Sequence, residues 1–401
     1  MSRGRILLLE NIHQGARENL VAAGFEVDLL AGSLSEEELV DAIRDVTAIG
    51  IRSKTQLTPK VLEAASRLTA VGAFCIGTNQ IALDEARRRG VPVFNAPFSN
   101  TRSVAEMVIA EIVFLARQLG DRSREVHQGV WKKVAAGCHE VRGKTLGIVG
   151  YGHIGRQVGV LAEVFGMNVL FYDIAARLPM GNNRPAGSLD ELLEATDFVT
   201  LHVPATPQTR DTIGAEQLEH MKKGAYLLNL SRGNVVVIED LVAALESGHL
   251  AGAAIDVYPQ EPKSNAERFE SPLQNLPNVI LSPHIGGSTV EAQVAIGQEV
   301  STALLRYLSW GSTLGSVNFP AADLAVVEGR HRIRHVHRNV PGVLGDVNRI
   351  VAGEGANVLG QVLMTDPQIG YLLVDVEQDR GEPIVSGIAK LETTVRVDLL
   401  Y

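Results

Sequence analysis

Thr145-Leu-Gly-Ile-Val-Gly-Tyr-Gly-His-Ile-Gly155 decides the fold. The run from Thr145 to Val149 reads as a strand, and it passes without a break into Gly150-Tyr-Gly-His-Ile-Gly155, which opens a helix. In that context each glycine has a task. Gly150 permits a tight turn, Gly152 lets the backbone approach a pyrophosphate, and Gly155 lets helix and strand pack closely, with phosphate at the helix N-terminus. The pattern alone is weak, and it gains weight from Asp173, which ends the next strand, Asn168-Val-Leu-Phe-Tyr172, about twenty residues beyond the glycines. A carboxylate there accepts hydrogen bonds from the adenosine ribose hydroxyls and repels a 2′-phosphate, which favours NAD over NADP. Arg177 stands near enough in sequence to blunt that exclusion.

Working outward, further strands are predicted at 198–202, 225–229, 252–256 and 279–282, alternating with helical stretches. On the N-terminal side the same alternation fills the first hundred residues: strands at 6–9, 48–51, from 71 and at 91–94, with a helix over 14–23. Both halves therefore read as α/β units with parallel sheets. The first ends near residue 95, and Ser103 and Glu106 have capping-box spacing ahead of a long helix reaching Leu119. After Gly286-Gly287 a helix over 290–308 should return to the first domain and make it discontinuous. Beyond residue 330 the pattern changes. Strand 331–337, helix 342–353, strands 358–364 and 370–377, helix 383–391 and strand 396–401 give βαββαβ, the ferredoxin-like unit.

Composition limits the alternatives. A chain of 401 residues exceeds one ordinary core, so two or three domains are expected. A formal charge of −9 argues against a nucleic-acid scaffold. The apolar run Ile6 to Leu9 is followed at once by Glu10 and Asn11, which reads as a buried strand and not a signal peptide. No apolar run approaches the roughly 18 residues of a membrane span. Cys75 and Cys138 lack metal or disulfide spacing, so a reducing cytoplasm is expected, with Cys75 as a small buried hydrophobe.

Three polar segments lie just past predicted strand ends of the second domain, where open α/β sheets bind ligands: Ser231-Arg232-Gly233, Glu261, and Pro283-His284-Ile-Gly-Gly-Ser-Thr289. Hydride transfer from a 2-hydroxy acid needs a base for the hydroxyl proton and a cation for the carboxylate. His284 suits the first role and Arg232, with its planar fork, the second. Glu261 suits a partner that fixes the histidine tautomer. Each alone could be a surface ion pair or a turn residue. Arg52 and Lys54 would suit a substrate phosphate, although exposed charge after a strand is the plainer reading.

The segments Gly150-Tyr-Gly-His-Ile-Gly155, Leu230-Ser-Arg-Gly233, Ala253-Ala-Ile-Asp-Val257, Glu261-Pro262 and Pro283-His-Ile-Gly-Gly287 together resemble the D-2-hydroxyacid dehydrogenase family. Gly72-Ala-Phe-Cys-Ile-Gly-Thr-Asn-Gln80, Asn95-Ala-Pro-Phe-Ser-Asn-Thr-Arg-Ser103 and the tail resemble its bacterial branch that acts on D-3-phosphoglycerate. The resemblance spans nearly the whole chain. It implies a flavodoxin-like, Rossmann-related substrate-binding domain (1–99 and 287–325), a dinucleotide-binding domain (100–286) and an ACT domain (331–401). Arg232, Glu261 and His284 match the catalytic set. Cofactor contacts fall on Gly150, Gly152, His153, Ile154, Gly155, Asp173, Leu230, Ser231, Arg232, Asp256, His284, Ile285, Gly286 and Gly287, with Asp256 holding the nicotinamide carboxamide. Substrate positions are Arg52, Ser53, Lys54, Asn100 and Gln293, with Trp131 and Lys133 reaching into a neighbouring subunit. Ala31 departs from relatives that carry a Lys there.

His335-Val-His-Arg-Asn-Val-Pro-Gly342 followed by Asn357 resembles the family's ACT domain. By that resemblance His337, Asn339 and Asn357 bind L-serine where two such domains meet, with a homotetramer as the assembly; inhibition at a distance requires two states, for which Glu328-Gly329 is a candidate hinge. His331, His335 and His337 share a strand face, so a metal cluster must be weighed, but no acidic or thiol ligand accompanies them and an extended polar edge is simpler. The activity expected is NAD-dependent oxidation of D-3-phosphoglycerate to 3-phosphohydroxypyruvate, inhibited by L-serine. A dehydrogenase for another acid such as 2-hydroxyglutarate, and an NAD-sensing corepressor-like binding protein, remain as alternatives.

Overall fold

The computed structural model describes residues 3–262 and 266–401. The chain forms two compact units, Met1–Ser99 with Gln293–Tyr401, and Asn100–Ala292. In the first, β1 (Arg5–Leu8), β2 (Glu26–Leu29), β3 (Ala48–Ile51), β4 (Ala70–Ala73) and β5 (Val93–Asn95) make a parallel sheet in the order β2-β1-β3-β4-β5. Strands β3 and β4 are buried at every residue because helices cover both faces. These are α1 (Gln14–Ala22), α2 (Glu36–Ala42), α3 (Pro59–Ala64) and α4 (Leu83–Arg88). Helix α2 starts on a capping box, with Ser35 N–H donating to Glu38 Oε2 at 2.8 Å and Glu38 N–H to Ser35 Oγ at 3.3 Å. Cys75, expected in the core, is only partly buried because its Sγ turns to the Gly77 carbonyl at 3.1 Å.

The second unit opens with α5 (Thr101–Ala116) and α6 (Leu119–His127). The helix starts two residues before the predicted box, with Asn100 as its N-cap residue. Ser103 already lies in the first turn, its hydroxyl 2.8 Å from Thr289 Oγ1, and Glu106 pairs with Arg102 at 2.6 Å, so neither side chain is left for capping. The sheet follows with β6 (Thr145–Val149), α7 (His153–Val164), β7 (Asn168–Tyr172), β8 (Arg184–Pro185), α8 (Leu189–Ala195), β9 (Phe198–Leu201), α9 (Ala215–His220), β10 (Ala225–Asn229), α10 (Ile238–Glu246), β11 (Leu250–Ile255) and β12 (Val279–Leu281). Its order, β12-β11-β10-β9-β6-β7-β8, reverses between β6 and β9. In such sheets the crevice at the reversal, outside the C-terminal strand ends, is the ligand site.

Helix α11 (Val290–Trp310) leads into the last sheet: β13 (Arg330–Arg338), α12 (Val343–Gly353), β14 (Gly360–Thr365), β15 (Ile369–Glu377), α13 (Gly381–Ile388) and β16 (Thr394–Leu399). This is the βαββαβ unit, antiparallel in the order β14-β15-β13-β16. Ile333, Leu372 and Val374 pack on Val343, Val347 and Ile384 of its own helices. Val336, Tyr371 and Leu373 on the opposite face join Val300, Leu304 and Tyr307 of α11 in one core with the first parallel sheet. With both faces covered, β13 is an interior strand, not the exposed polar edge that its histidines suggested. Two of its arginines, Arg332 and Arg334, are accordingly satisfied inside. Arg332, fully buried, meets both Asp375 oxygens at 2.7 and 2.9 Å and donates to the carbonyls of Trp310, Leu324 and Ala325. Arg334 pairs with Asp398 at 2.6 Å and lies over the Tyr307 ring. No helix among the described residues is long and apolar enough to cross a membrane.

Candidate active site

Gly150 turns the chain out of β6 with φ +92°, and a Cβ there would strike the His202 carbonyl. Gly155 lies against the Gly150 carbonyl, so a side chain would push α7 off the strand. Gly152 is the opposite case: the space before its Cα is open, directly ahead of His153, the first residue of α7. Tyr151 between them is core, its ring stacked on Phe171 and its hydroxyl 2.8 Å from Asn183 Oδ1. The Asp173 carboxylate accepts the N–H groups of Tyr151 and Ala175, both at 2.9 Å, and pairs with Arg177 at 3.3 Å. An open glycine at a helix N-terminus, with a carboxylate after the next strand, fits a dinucleotide. Arg177 is turned to Asp173 itself.

The candidate catalytic residues follow the ends of β10, β11 and β12. Asp256, 1% exposed, follows β11 and gathers the loop after β12. Its carboxylate accepts Ser282 Oγ–H at 2.6 Å and the N–H groups of Ile285 and Gly286 at 2.8 Å, while its carbonyl accepts the His284 N–H at 2.8 Å. These bonds hold His284 at φ +54°, a left-handed conformation that costs a residue with a Cβ about 1 kcal/mol or more. The ring is thereby aimed: Nδ1 meets the two Glu261 oxygens at 3.0 and 2.9 Å. Glu261 Oε1 also accepts the Tyr258 N–H at 3.2 Å.

The hydrogen bond to Glu261 raises the His284 pKa above its ordinary value; partial burial opposes this, and the charges of Glu261 and Asp256 add to the rise. Burial works to raise Glu261, but the hydrogen bond and charge of His284, the Tyr258 N–H and the charge of Arg232 prevail and lower it. Arg232 follows β10 in extended backbone; its Nη1 donates to the Ser231 carbonyl at 2.6 Å and its own carbonyl accepts from Asn229 Nδ2 at 3.0 Å. Gly233 packs directly on the Tyr258-Pro259 backbone, which leaves no room for a side chain. Arg232, Glu261 and His284 thus form one charge cluster. An acid that the sequence does not signal interacts with Asp256: Glu111 on α5 is 5% exposed, with no hydrogen-bond partner for either oxygen among the described residues. Burial, with Asp256 adding, pushes its pKa up to about 8.

The remaining sequence candidates divide. Asn100 lies against the Gly287 backbone, and Ile285 is 45% exposed beside them. Leu230 and Ser231 are buried, Ser231 with its N–H and hydroxyl on Asn229 Oδ1. Arg52, Ser53 and Lys54 follow β3 in the other unit, and Gln293 is in the first turn of α11. Trp131, 83% exposed, and Lys133 stand on an exposed stretch between α6 and β6. In the ACT-like sheet, His337 pairs with Gly370, and Asn339 Nδ2 donates to the Asp366 carbonyl at 2.7 Å. Asn357 is bound to Glu377 instead, which pairs with Arg330 at the far end of β13. Seven residues of strand put the two groups roughly 20 Å or more apart within one chain. Among the described residues no group of three or more His, Cys, Asp or Glu is placed to hold a metal ion, and His335 Nε2 lies 2.9 Å from Thr394 Oγ1.

Comparison with known proteins places this arrangement. The family model "D-isomer specific 2-hydroxyacid dehydrogenase, NAD binding domain" matches residues 109–286, and "AHAS small subunit-like ACT domain" matches 333–396. The chain is 53% identical to the D-3-phosphoglycerate dehydrogenase of Dictyostelium discoideum, over 99% of this chain and 97% of that one. It is 51% identical to the enzyme of that name from Escherichia coli K12, again over 99% and 97%. Among solved structures, the NAD-complexed D-isomer specific 2-hydroxyacid dehydrogenase of Lactobacillus delbrueckii ssp. bulgaricus superposes with TM-score 0.68 at 25% identity, covering 78% of this chain and all of that one. The chain belongs to the D-isomer specific 2-hydroxyacid dehydrogenases, among the D-3-phosphoglycerate dehydrogenases that end in an ACT domain.

Proposed function

We propose that the protein oxidises D-3-phosphoglycerate to 3-phosphohydroxypyruvate with NAD, as the first step of L-serine formation. The observation that carries this is the His284–Glu261 pair with Arg232 in the unit that holds the open Gly152 turn. NAD, when bound, accepts the hydride from C2. With Nδ1 engaged by Glu261, Nε2 of His284 is the nitrogen that takes the hydroxyl proton, and Glu261 stabilises the imidazolium formed. Arg232 holds the substrate carboxylate in two hydrogen bonds. Asp256 acts first through the backbone it gathers, keeping His284 aimed. Residues 1–99 with 287–325 serve as the substrate-binding domain, 100–286 as the dinucleotide-binding domain and 331–401 as the ACT domain. Ala31 offers no charge, so the phosphate falls to Arg52, Ser53 and Lys54, and Asn100 and Gln293 are the further substrate residues.

The effector reading follows from separation. His337 with Asn339, and Asn357, lie at opposite ends of one sheet, so an L-serine held by all three takes them from two copies. A cytoplasmic homotetramer supplies such pairs. The exposed Trp131, with Lys133, suits an arm reaching a neighbour, and exposed Phe114, Val164 and Phe165 suit a covered face.

The test is NADH-linked reduction of a substrate panel. The expected kcat/KM for 3-phosphohydroxypyruvate exceeds that for 2-oxoglutarate or pyruvate by roughly 10²-fold or more, the scale of losing a charge-assisted site, and NADPH is the poorer donor. Preference for an unphosphorylated acid, or no turnover with any, would contradict the reading.

A further inference from the structure

Beyond β1 the chain places Glu10, 8% exposed, at φ +62°, followed by Asn11 at φ +54°. Left-handed backbone suits Gly or Asn and penalises Glu, so a glutamate kept there has another task. Its carboxylate reaches the loop after the neighbouring strand β3. Oε1 accepts the N–H groups of Arg52 at 3.1 Å and Thr55 at 2.8 Å, and Oε2 accepts that of Lys54 at 2.9 Å. From beyond β4, Gln80, 6% exposed, donates Nε2 to the Arg52 carbonyl at 2.7 Å and to the Gly77 carbonyl at 3.2 Å. The backbone of residues 52–55 is therefore held from two sides by buried side chains.

We propose that Glu10 is the positioning residue of the substrate-phosphate loop, fixing the backbone from which Arg52, Ser53 and Lys54 reach the anion. This rests on the proposed role of that loop. It also says how the phosphate is gripped. Many anion sites use a run of backbone N–H groups, but here three of the loop's N–H groups are taken by a carboxylate. Of the N–H groups of residues 52–55 only that of Ser53 is not bonded to Glu10, so recognition rests chiefly on the guanidinium, the hydroxyl and the ammonium, and these side chains are only as well placed as the backbone beneath them. A KM effect confined to phosphorylated substrate is the signature, because Glu10 touches neither the reacting carbon nor the proton relay.

The experiment compares Glu10→Ala, Glu10→Gln and Arg52→Ala in the full-length enzyme, with steady-state kinetics on 3-phosphohydroxypyruvate and on hydroxypyruvate and a thermal melt of each variant. Glu10→Ala should raise KM for the phosphorylated substrate about ten-fold or more, with kcat and the hydroxypyruvate kinetics within about three-fold. Glu10→Gln keeps one carbonyl oxygen for Arg52 and Thr55 and should fall between; if Glu10→Ala does not fold, this variant decides. Arg52→Ala raising KM while neither Glu10 variant does would overturn the proposal, as would equal losses on both substrates. If Arg52→Ala leaves KM unchanged, the phosphate reading of the loop fails and the proposal falls with it.

Discussion

His284 and Glu261 are 23 residues apart in sequence and joined at Nδ1, so the charge on one sets the protonation of the other. On the proposed mechanism oxidation needs a neutral His284. Because Glu261 raises the histidine pKa, the oxidative rate is lost as pH falls through that raised value, and the reductive rate, which needs imidazolium, is lost as pH rises through it. Glu261→Gln removes the negative partner. The expected outcome is a shift of both limbs to lower pH, with kcat down roughly 10²-fold or more; pH profiles of kcat/KM in both directions check it, and unmoved limbs would deny the coupling. At this scale the sequence was informative where a residue sits just beyond a strand, as Arg232 and His284 do. It was silent on the roles of Glu10, Gln80 and Glu111, because Glu10 and Gln80 reach backbone groups of a distant loop and Glu111 has no hydrogen-bond partner among the described residues, and such arrangements leave no spacing pattern.

Strand β13 shows what periodicity can and cannot carry. Alternation locates it and puts His331, His335 and His337 on one face, which reads most simply as an extended polar edge, whereas the strand is paired on both sides and Arg332 and Arg334 are buried. The misreading has a physical cause: a buried guanidinium is tolerable only when fully bonded, and the bonds come from the distant Asp375, Asp398 and Trp310 carbonyl together with the carbonyls of Leu324 and Ala325, none of which a strand pattern reveals. Removing one partner leaves a charge in the interior. Asp375→Ala is expected to destabilise the folded protein by about 3–5 kcal/mol, measured by denaturant unfolding, and Arg332→Met with Asp375→Leu to recover much of that loss. A single-variant loss under about 1 kcal/mol would mean the pair is solvated in solution. The Ser103 box failed for a related reason, since a hydroxyl with a tertiary partner in Thr289 is not free to cap.

For the whole molecule, the alternation of strands and helices announced two α/β sheets and a βαββαβ tail, while the strand orders and the fusion of the tail's sheet with α11 and the first sheet needed coordinates. An amphipathic α11 does not state which sheets it covers. The distance between His337 and Asn357 makes assembly part of the proposed regulation. Homomers of His337→Ala or Asn357→Ala should each lose inhibition by L-serine, and hybrids of the two should regain part of it, since one of every two sites then combines an intact half from each chain. Hybrids as insensitive as the homomers would place the effector elsewhere. That hydride transfer in this chain depends on His284 as the group exchanging the substrate hydroxyl proton is checked by NADH-linked turnover of 3-phosphohydroxypyruvate in wild type and His284→Ala, with NADH binding followed by fluorescence. Wild-type turnover should be robust, with kcat lower by roughly 10²–10⁴-fold in the variant and NADH binding unchanged; a His284→Ala enzyme within about ten-fold of wild type would rule out His284 as that group.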